Sequence, residues 1–287
     1  MAKKIAVCQM KGGVAKTTTT AITAACLTRK GFKVLCIDLD PQGNLGYLGN
    51  IPLKRDSGMR AILKEGLNHL DDEYDMSTMN DEALASLFDD GAPNYKVVHE
   101  QIISTDNYDI IPAGRGLSLL DSDLQTTGGQ YVLRRAIDGA GLEDLYDFIL
   151  IDTRPTSNGL VSNALVAADY VLAPITGEDF SIQATSDLYK LMKSVKKYNN
   201  ANLTLLGILR TKWVARNDDC KSVDKKLQYI NDNVLHTRIF SPIRSSNVVS
   251  KAINRKENLM DYKPKSVVAQ DYVQFTDELL EEVERYD

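Results

Sequence analysis

Lys11-Gly12-Gly13-Val14-Ala15-Lys16-Thr17-Thr18 decides how this chain is read. It stands between a short apolar run, Lys4-Ile5-Ala6-Val7-Cys8, and a helix-permissive stretch over 17–30 that closes at Gly31. Paired glycines let the backbone curl until consecutive N–H groups point into one cavity. A helix starting near Lys16 adds the partial positive charge of its N-terminus. Together they make a phosphate cradle, in which Lys16 reaches the β- and γ-phosphates and the Thr17 hydroxyl sits on Mg2+. The common pattern GxxxxGK[ST] fails here, because Met10 and Ala15 stand where its glycines belong. What is present is KGGxxKTT, with a second lysine at its front. Such a match arises by chance on the order of 10⁻⁷ per start position. The plain alternative is a Gly-Gly turn with incidental lysines; the strand before and the helix after are the context a phosphate loop requires.

Strand and helix continue to alternate outward from this loop. Short apolar runs rich in β-formers recur at 33–38, 108–111, 148–151, 170–173 and 205–209. Runs of that kind suit parallel strands covered on both faces. Between them, 181–198 carries Leu188, Leu191, Met192, Val195 and Tyr198 at helical spacing. A last helix over 266–285 sets Val268, Tyr272, Phe275, Leu279 and Val283 on one side. The pattern predicts an α/β fold: a P-loop, Rossmann-like, doubly wound and mainly parallel sheet flanked by helices on both faces. No internal repeat and no Pro/Ser-rich linker interrupts it, so 1–287 reads as a single domain, with an acidic helical segment at about 56–110 as a sub-region.

Composition removes several classes. With 287 residues, 43% hydrophobic and 25% charged, the chain matches an ordinary globular domain and not a disordered or collagen-like one. A formal charge of -5 excludes an all-over basic coat but not a local basic patch. Charge is uneven: 56–110 holds 13 acids and 3 bases, a net of -10, whereas 207–265 holds 13 bases and 6 acids, a net of +7. Solvated faces are the ordinary meaning of such blocks. No uncharged apolar run approaches the ~18 residues of a membrane span, and the start lacks the long apolar region of a signal peptide. Cys8, Cys26, Cys36 and Cys220 form no CxxC pair and read as reduced, buried, cytosolic residues. His69, His99 and His236 are scattered, which argues against a histidine-rich metal site.

The loop resembles the deviant Walker A motif of the ParA/Soj/MinD group of ATPases. Ile37-Asp38-Leu39-Asp40-Pro41-Gln42-Gly43-Asn44 looks like the segment after the second strand in the ParA branch. Tyr146-Asp147-Phe148-Ile149-Leu150-Ile151-Asp152 looks like its Walker B strand, and Asn163-Ala164-Leu165-Val166-Ala167-Ala168-Asp169 like the helix leading to the next strand. Pro264-Lys265-Ser266, followed by Ala269 and Tyr272, matches near the end. The resemblance spans nearly the whole chain and is weakest across 50–107 and 211–262.

That resemblance implies ATP and Mg2+ as cofactors and a homodimer closed face to face over two ATP molecules. Lys11 then reaches the partner's nucleotide, a cation in trans that acts like an arginine finger. Lys11, Lys16 and Asp40 are the implied catalytic residues, with Asp40 orienting the attacking water. Lys11, Gly12, Gly13, Val14, Ala15, Lys16, Thr17, Thr18 and Pro242 are the implied nucleotide contacts. Thr17, Asp38 and Asp152 are the implied metal group, the carboxylates acting through water as hard oxygen ligands. A carboxylate at a strand end, such as Asp38, can instead simply cap the next turn. One departure stands out: family members usually carry two prolines where this chain has Asp152-Thr153-Arg154-Pro155. Arg154 adds a cation and restores a backbone donor. It slows hydrolysis, contacts the phosphate, or is simply an altered position.

The implied function is an ATP-dependent DNA-segregation ATPase with weak intrinsic turnover, cytoplasmic and nucleoid-associated. The ATP dimer binds double-stranded DNA without sequence preference, and a ParB-like centromere-binding adaptor stimulates hydrolysis and release. Arg216, Lys221, Lys225, Lys226, Arg244, Lys251 and Arg255 in the basic block are the implied DNA contacts, acting through counterion release. The loop begins at residue 11, so no N-terminal helix-turn-helix domain is expected. The alternative is a MinD-like membrane-associated positioning ATPase. That needs a basic amphipathic C-terminal helix, and the tail over 277–287 is acidic, so no membrane partner is expected. A metabolic or iron–sulfur P-loop enzyme is the third class; the cysteine positions suggest no cluster geometry.

Overall fold

The computed structural model describes residues 1–73, 95–156 and 158–286. Its strands are β1 (Lys3–Val7), β2 (Val34–Asp38), β3 (Ile103–Ser104), β4 (Asp109–Ile111), β5 (Phe148–Asp152), β6 (Tyr170–Ile175), β7 (Thr204–Arg210) and β8 (Arg238–Phe240). Its helices are α1 (Lys16–Arg29), α2 (Asn44–Leu48), α3 (Met59–Glu73), α4 (Lys96–Glu100), α5 (Val132–Gly139) and α6 (Leu142–Leu145). They continue with α7 (Gly159–Ala167), α8 (Phe180–Tyr198), α9 (Asp218–Ile230), α10 (Asn247–Arg255), α11 (Leu259–Tyr262) and α12 (Val267–Glu284). The strands form one sheet in the order β3-β4-β2-β5-β1-β6-β7-β8. Only the β3–β4 pairing is antiparallel.

The expected mainly parallel α/β sheet is therefore present, and the long apolar runs are its middle. Every residue of β2, β5 and β6 is buried, which is why those runs are continuous and not alternating. The edge strands β3 and β8 were not foreseen. Two and three residues long, and carrying Ser104 and Arg238, they offer no apolar run of the kind that marks β4. Helices cover both faces. Leu63 of α3, Ile137 of α5, Leu165 of α7, Leu188 of α8 and Leu227 of α9 share one core. Leu27 of α1, Leu45 of α2, Leu259 of α11 and Phe275 of α12 share the other, with Val248 and Val249 of α10 against it. Small side chains at Ala21, Ala24 and Ala25 let α1 lie close beneath α12.

Of the acidic stretch 56–110, α3 and α4 are helical, β3 and β4 are strands, and 74–94 lies outside the described residues. Among the described residues no helix is long and apolar enough to cross a membrane. The topology matters most at β1. It lies between β5 and β6, so the chain winds to one side of β1 and then to the other. In open parallel sheets, ligands bind beyond the carboxyl ends of the strands at such a reversal. Register brings three chain-distant residues to that end: Val7 opposite Asp152, and Asp38 opposite Asp152.

Candidate active site

The loop leaving β1 curls as its glycines require. Gly13 has φ +77°, a left-handed value with open space where a Cβ would stand. Ala15, the residue before α1, takes φ 65° and ψ 30°, the same region without glycine's freedom. Lys16 is buried and arches back over the loop, its Nζ donating to the carbonyls of Gln9 at 3.3 Å and Lys11 at 3.1 Å. Burial holds the Lys16 ammonium below the ordinary lysine pKa. The residues after β7 buttress the turn: Thr211 Oγ1 donates to Val14 O at 3.0 Å and Lys212 Nζ to Gly13 O at 2.8 Å.

The loop opens onto a groove of about 680 Å³. Gly12, Gly13, Ala15, Lys16, Thr17 and Thr18 line it, with Asp40 and Pro155 beside them. Among the expected nucleotide residues, Val14, Pro242 and the Lys11 side chain stand outside that lining. Val14 is fully buried under the loop. Pro242 precedes Ile243, Arg244, Ser245 and Ser246, which do form wall. The Lys11 amine is paired with Glu178 at the start of α8.

Asp38 and Asp152 lie beneath the loop, both fully buried. Asp38 Oδ1 accepts from Asp40 N at 3.1 Å, and Oδ2 accepts from Leu45 N at 3.2 Å and Gly46 N at 3.3 Å. It therefore caps the turn that carries Asp40 and starts α2. Asp152 is different: neither carboxylate oxygen receives a well-formed hydrogen bond. Burial, and then the neighbouring carboxylate, pushes the Asp38 carboxyl well up. Burial also raises that of Asp152, although Thr17 and Lys16 stand near enough to oppose the shift. A buried carboxylate with no well-formed hydrogen bond, beside a loop hydroxyl, fits a hard divalent cation. Mg2+ keeps waters and phosphate oxygens as most of its ligands, so Thr17 with Asp152 is a sufficient protein share. Arg154 is half-buried, next to Pro155 on the groove wall.

The expected DNA residues are divided. Lys221, Lys225 and Lys226 are on α9, in the layer of α8; Lys251 and Arg255 are on α10, in the opposite layer. Lys221 pairs with Asp218 and Lys226 with Asp179, both at 2.7 Å. The Arg255 guanidinium lies 5.0 Å from the Tyr262 ring centroid. Arg244 is bridged in backbone to Trp213, close to the loop of Arg216, and its guanidinium forks onto the buried Asp271. The four cysteines are all buried free thiols.

Sequence reading missed the rest of the groove wall: Tyr47 and Leu48 of α2, Thr211 and Lys212 after β7, Val249 and Ile253 of α10, and Tyr272 of α12. Only the position of Thr211 and Lys212 just past a parallel strand was a readable signal.

A P-loop at the switch point of a parallel sheet, with a buried acid beneath it, defines a P-loop nucleotide hydrolase. Comparison with known proteins narrows the class. The AAA_31 family model, an AAA domain, matches residues 2–205, and the chain belongs to the ParA/MinD-type P-loop ATPases. It is similar to the sporulation initiation inhibitor protein Soj of Bacillus subtilis, 30% identical over 281 residues, covering 97% of this chain and 98% of that one. The chromosome-partitioning ATPase Soj of Thermus thermophilus is 29% identical over 283 residues, covering 98% and 97%. Among solved structures, a Mycobacterium smegmatis protein described as cobyrinic acid a,c-diamide synthase, with ADP and magnesium bound, superposes with a TM-score of 0.75. It is 27% identical and covers 100% of this chain and 97% of that one.

Proposed function

We propose that this chain is a DNA-partition ATPase that works as an ATP-closed homodimer. Similarity to the chromosome-partitioning Soj over 98% of the chain carries the reading. The position of Lys11 supports it: its amine stays out of the groove that its own loop builds, held by Glu178, a partner it would exchange for the other subunit's nucleotide. In the dimer, Lys16 and the loop N–H groups hold the β- and γ-phosphates. Asp40, at the groove wall on a turn braced by Asp38, orients the attacking water. Lys11 of each subunit neutralises charge on the other's γ-phosphate. Thr17, with Asp152 through water, would hold Mg2+, which would supply charge neutralisation on the phosphates. With Lys11 arriving only from a partner, turnover in the lone chain is slow.

The closed dimer binds double-stranded DNA through phosphate contacts from the basic block, without sequence preference, on the nucleoid in the cytoplasm. A ParB-like adaptor accelerates hydrolysis and releases the dimer. DNA binding measured without nucleotide and with ADP, ATP or a non-hydrolysable analogue tests this. The expected result is binding only with the triphosphates, falling steeply with salt. Vesicle pelleting in place of DNA binding would favour the membrane alternative. ATP turnover raised by cobyrinic acid and indifferent to DNA would favour a small-molecule enzyme on the same fold.

A further inference from the structure

Two walls of the groove come from elements outside the phosphate loop. Tyr47 and Leu48 of α2 form one, and Val249 and Ile253 of α10 the other. One side chain crosses between the two helices. Lys256, the residue after α10, donates from Nζ to Asn50 Oδ1 at 3.1 Å, and the same ammonium lies 4.9 Å from the centroid of the Tyr47 ring. Asn50 and Tyr47 belong to the end of α2 and the turn after it, so this cation ties the far end of one wall to the far end of the other.

The backbone at Lys256 makes the contact more telling. Lys256 has φ 55°, and Asn50 has φ 56°. Asparagine visits that left-handed region readily; lysine does not. Lys256 N donates to Ile253 O at 2.9 Å and Glu257 N to Ala252 O at 3.1 Å, the helix-ending pattern that glycine usually serves. A lysine held where glycine would relax the chain directs attention to its side chain.

We propose that Lys256 is a strap at the rim of the nucleotide groove, just outside its lining: a positioning residue that holds α2 against α10 and slows the escape of a bound adenosine di- or triphosphate. The inference rests on the reading that this groove holds the nucleotide. It also gives α2 a second anchor. At its start α2 is tied to Asp38 through the N–H groups of Leu45 and Gly46, and at its end to Lys256. The strap therefore steadies the turn carrying Asp40 as well as the groove wall.

An exposed cation over an aromatic ring changes a rate or equilibrium constant by about two- to fivefold. The test is the dissociation rate of fluorescent ADP and ATP analogues from the full chain, chased with unlabelled nucleotide. Lys256→Met and Tyr47→Leu are each expected to speed release about threefold. Lys256→Arg and Tyr47→Phe keep cation and ring and stay near the unmodified rate. The double variant Lys256→Met with Tyr47→Leu releases no faster than either single one, because both remove the same contact. Lys256→Gly separates the strap from a folding role: it relaxes the backbone, so thermal stability holds or rises while release still quickens. Unchanged release in Lys256→Met, equal damage from Tyr47→Phe and Tyr47→Leu, or release rates that simply follow melting temperature would each overturn the strap. If the unmodified chain takes up no nucleotide, the groove reading falls and the strap with it. If it does, and Lys256→Met is silent, the strap alone falls.

Discussion

Lys11 and Glu178 are ion-paired within one chain, and the Lys11 ammonium also lies 3.5 Å from Ser181 Oγ. The pair links the front of the phosphate loop to the start of α8. Lys11, and then Lys212, holds the Glu178 carboxyl below the usual glutamate range. A lysine that serves a second subunit must first leave this partner.

Glu178→Gln is therefore expected to ease association. With ATP bound, the protein concentration needed for half-dimer should fall about two- to fivefold, the range of an exposed ion pair. Lys11→Ala should leave nucleotide binding in place and block the dimer. Sedimentation velocity with ATP reads both; weaker association of Glu178→Gln would count against the latch.

Ala15 occupies a left-handed backbone position at the first turn of α1. Ala15→Gly removes the Cβ clash, worth about 1–2 kcal/mol, and returns some of it as unfolded-chain entropy. A net gain of about 0.5–1 kcal/mol in denaturant unfolding is expected. Loss of stability would show that the alanine methyl packs usefully.

Asp152 is fully buried, with no well-formed hydrogen bond to its carboxylate and only Thr17, Lys16 and the Thr153 N–H near enough to favour its charged form. Burial pushes the Asp152 carboxyl up to about 7, so its ionisation costs the folded chain stability as pH rises from about 4 to about 7, and Asp152→Asn should remove that loss. The same change should abolish Mg2+-dependent ATP turnover. Urea unfolding at pH 5 and pH 8 and phosphate release, measured on one preparation, check the two halves; the same pH 5 to pH 8 loss in the variant as in the unmodified chain would refute the first.

The cations of α9 and those of α10 lie on opposite layers of the sheet. One duplex against one face of the chain meets one set. Neutralising Lys221, Lys225 and Lys226 together, and Lys251 with Arg255 together, should therefore give unequal results. One pair of curves shifts DNA affinity and flattens its salt dependence, the slope falling by roughly one unit per lost phosphate contact. The other stays unchanged. Equal shifts in both would require the two layers to share the duplex.

Arg244→Lys should be costly for a separate reason. The Arg244 guanidinium contacts Asp271 through Nε and Nη2, and Asp271 is nearly buried. Lysine cannot reproduce that fork. A lower urea midpoint is expected, because Asp271 loses the guanidinium fork and keeps only the Arg244 backbone N–H. A neutral outcome would mean that water satisfies Asp271.

Much of this architecture was readable in one dimension. The runs that became β2, β5 and β6 are unbroken apolar stretches because both faces of a central parallel strand are covered. Likewise, the phosphate cradle is contiguous, so its glycines, Lys16 and Thr17 declare it together. The edge strands were silent because Ile103-Ser104 and Arg238-Ile239-Phe240 form no apolar run like that of the equally short β4. Ala15 looked like a simple departure from a glycine pattern; its left-handed backbone became visible only with the turn folded. Asp38 carried two readings until its carboxylate was seen to accept three backbone N–H groups.

Local chemistry, then, determined that a phosphate loop joins a buried strand to a helix, because curl, helix dipole and lysine lie within a few residues of one another. The closing of the sheet decided the rest. It set Asp38 opposite Asp152, turned Lys11 onto a glutamate 167 positions away, and drew Lys256 across to Tyr47 and Asn50. Contacts between segments so far apart depend on strand order and helix packing, which no short window of residues encodes.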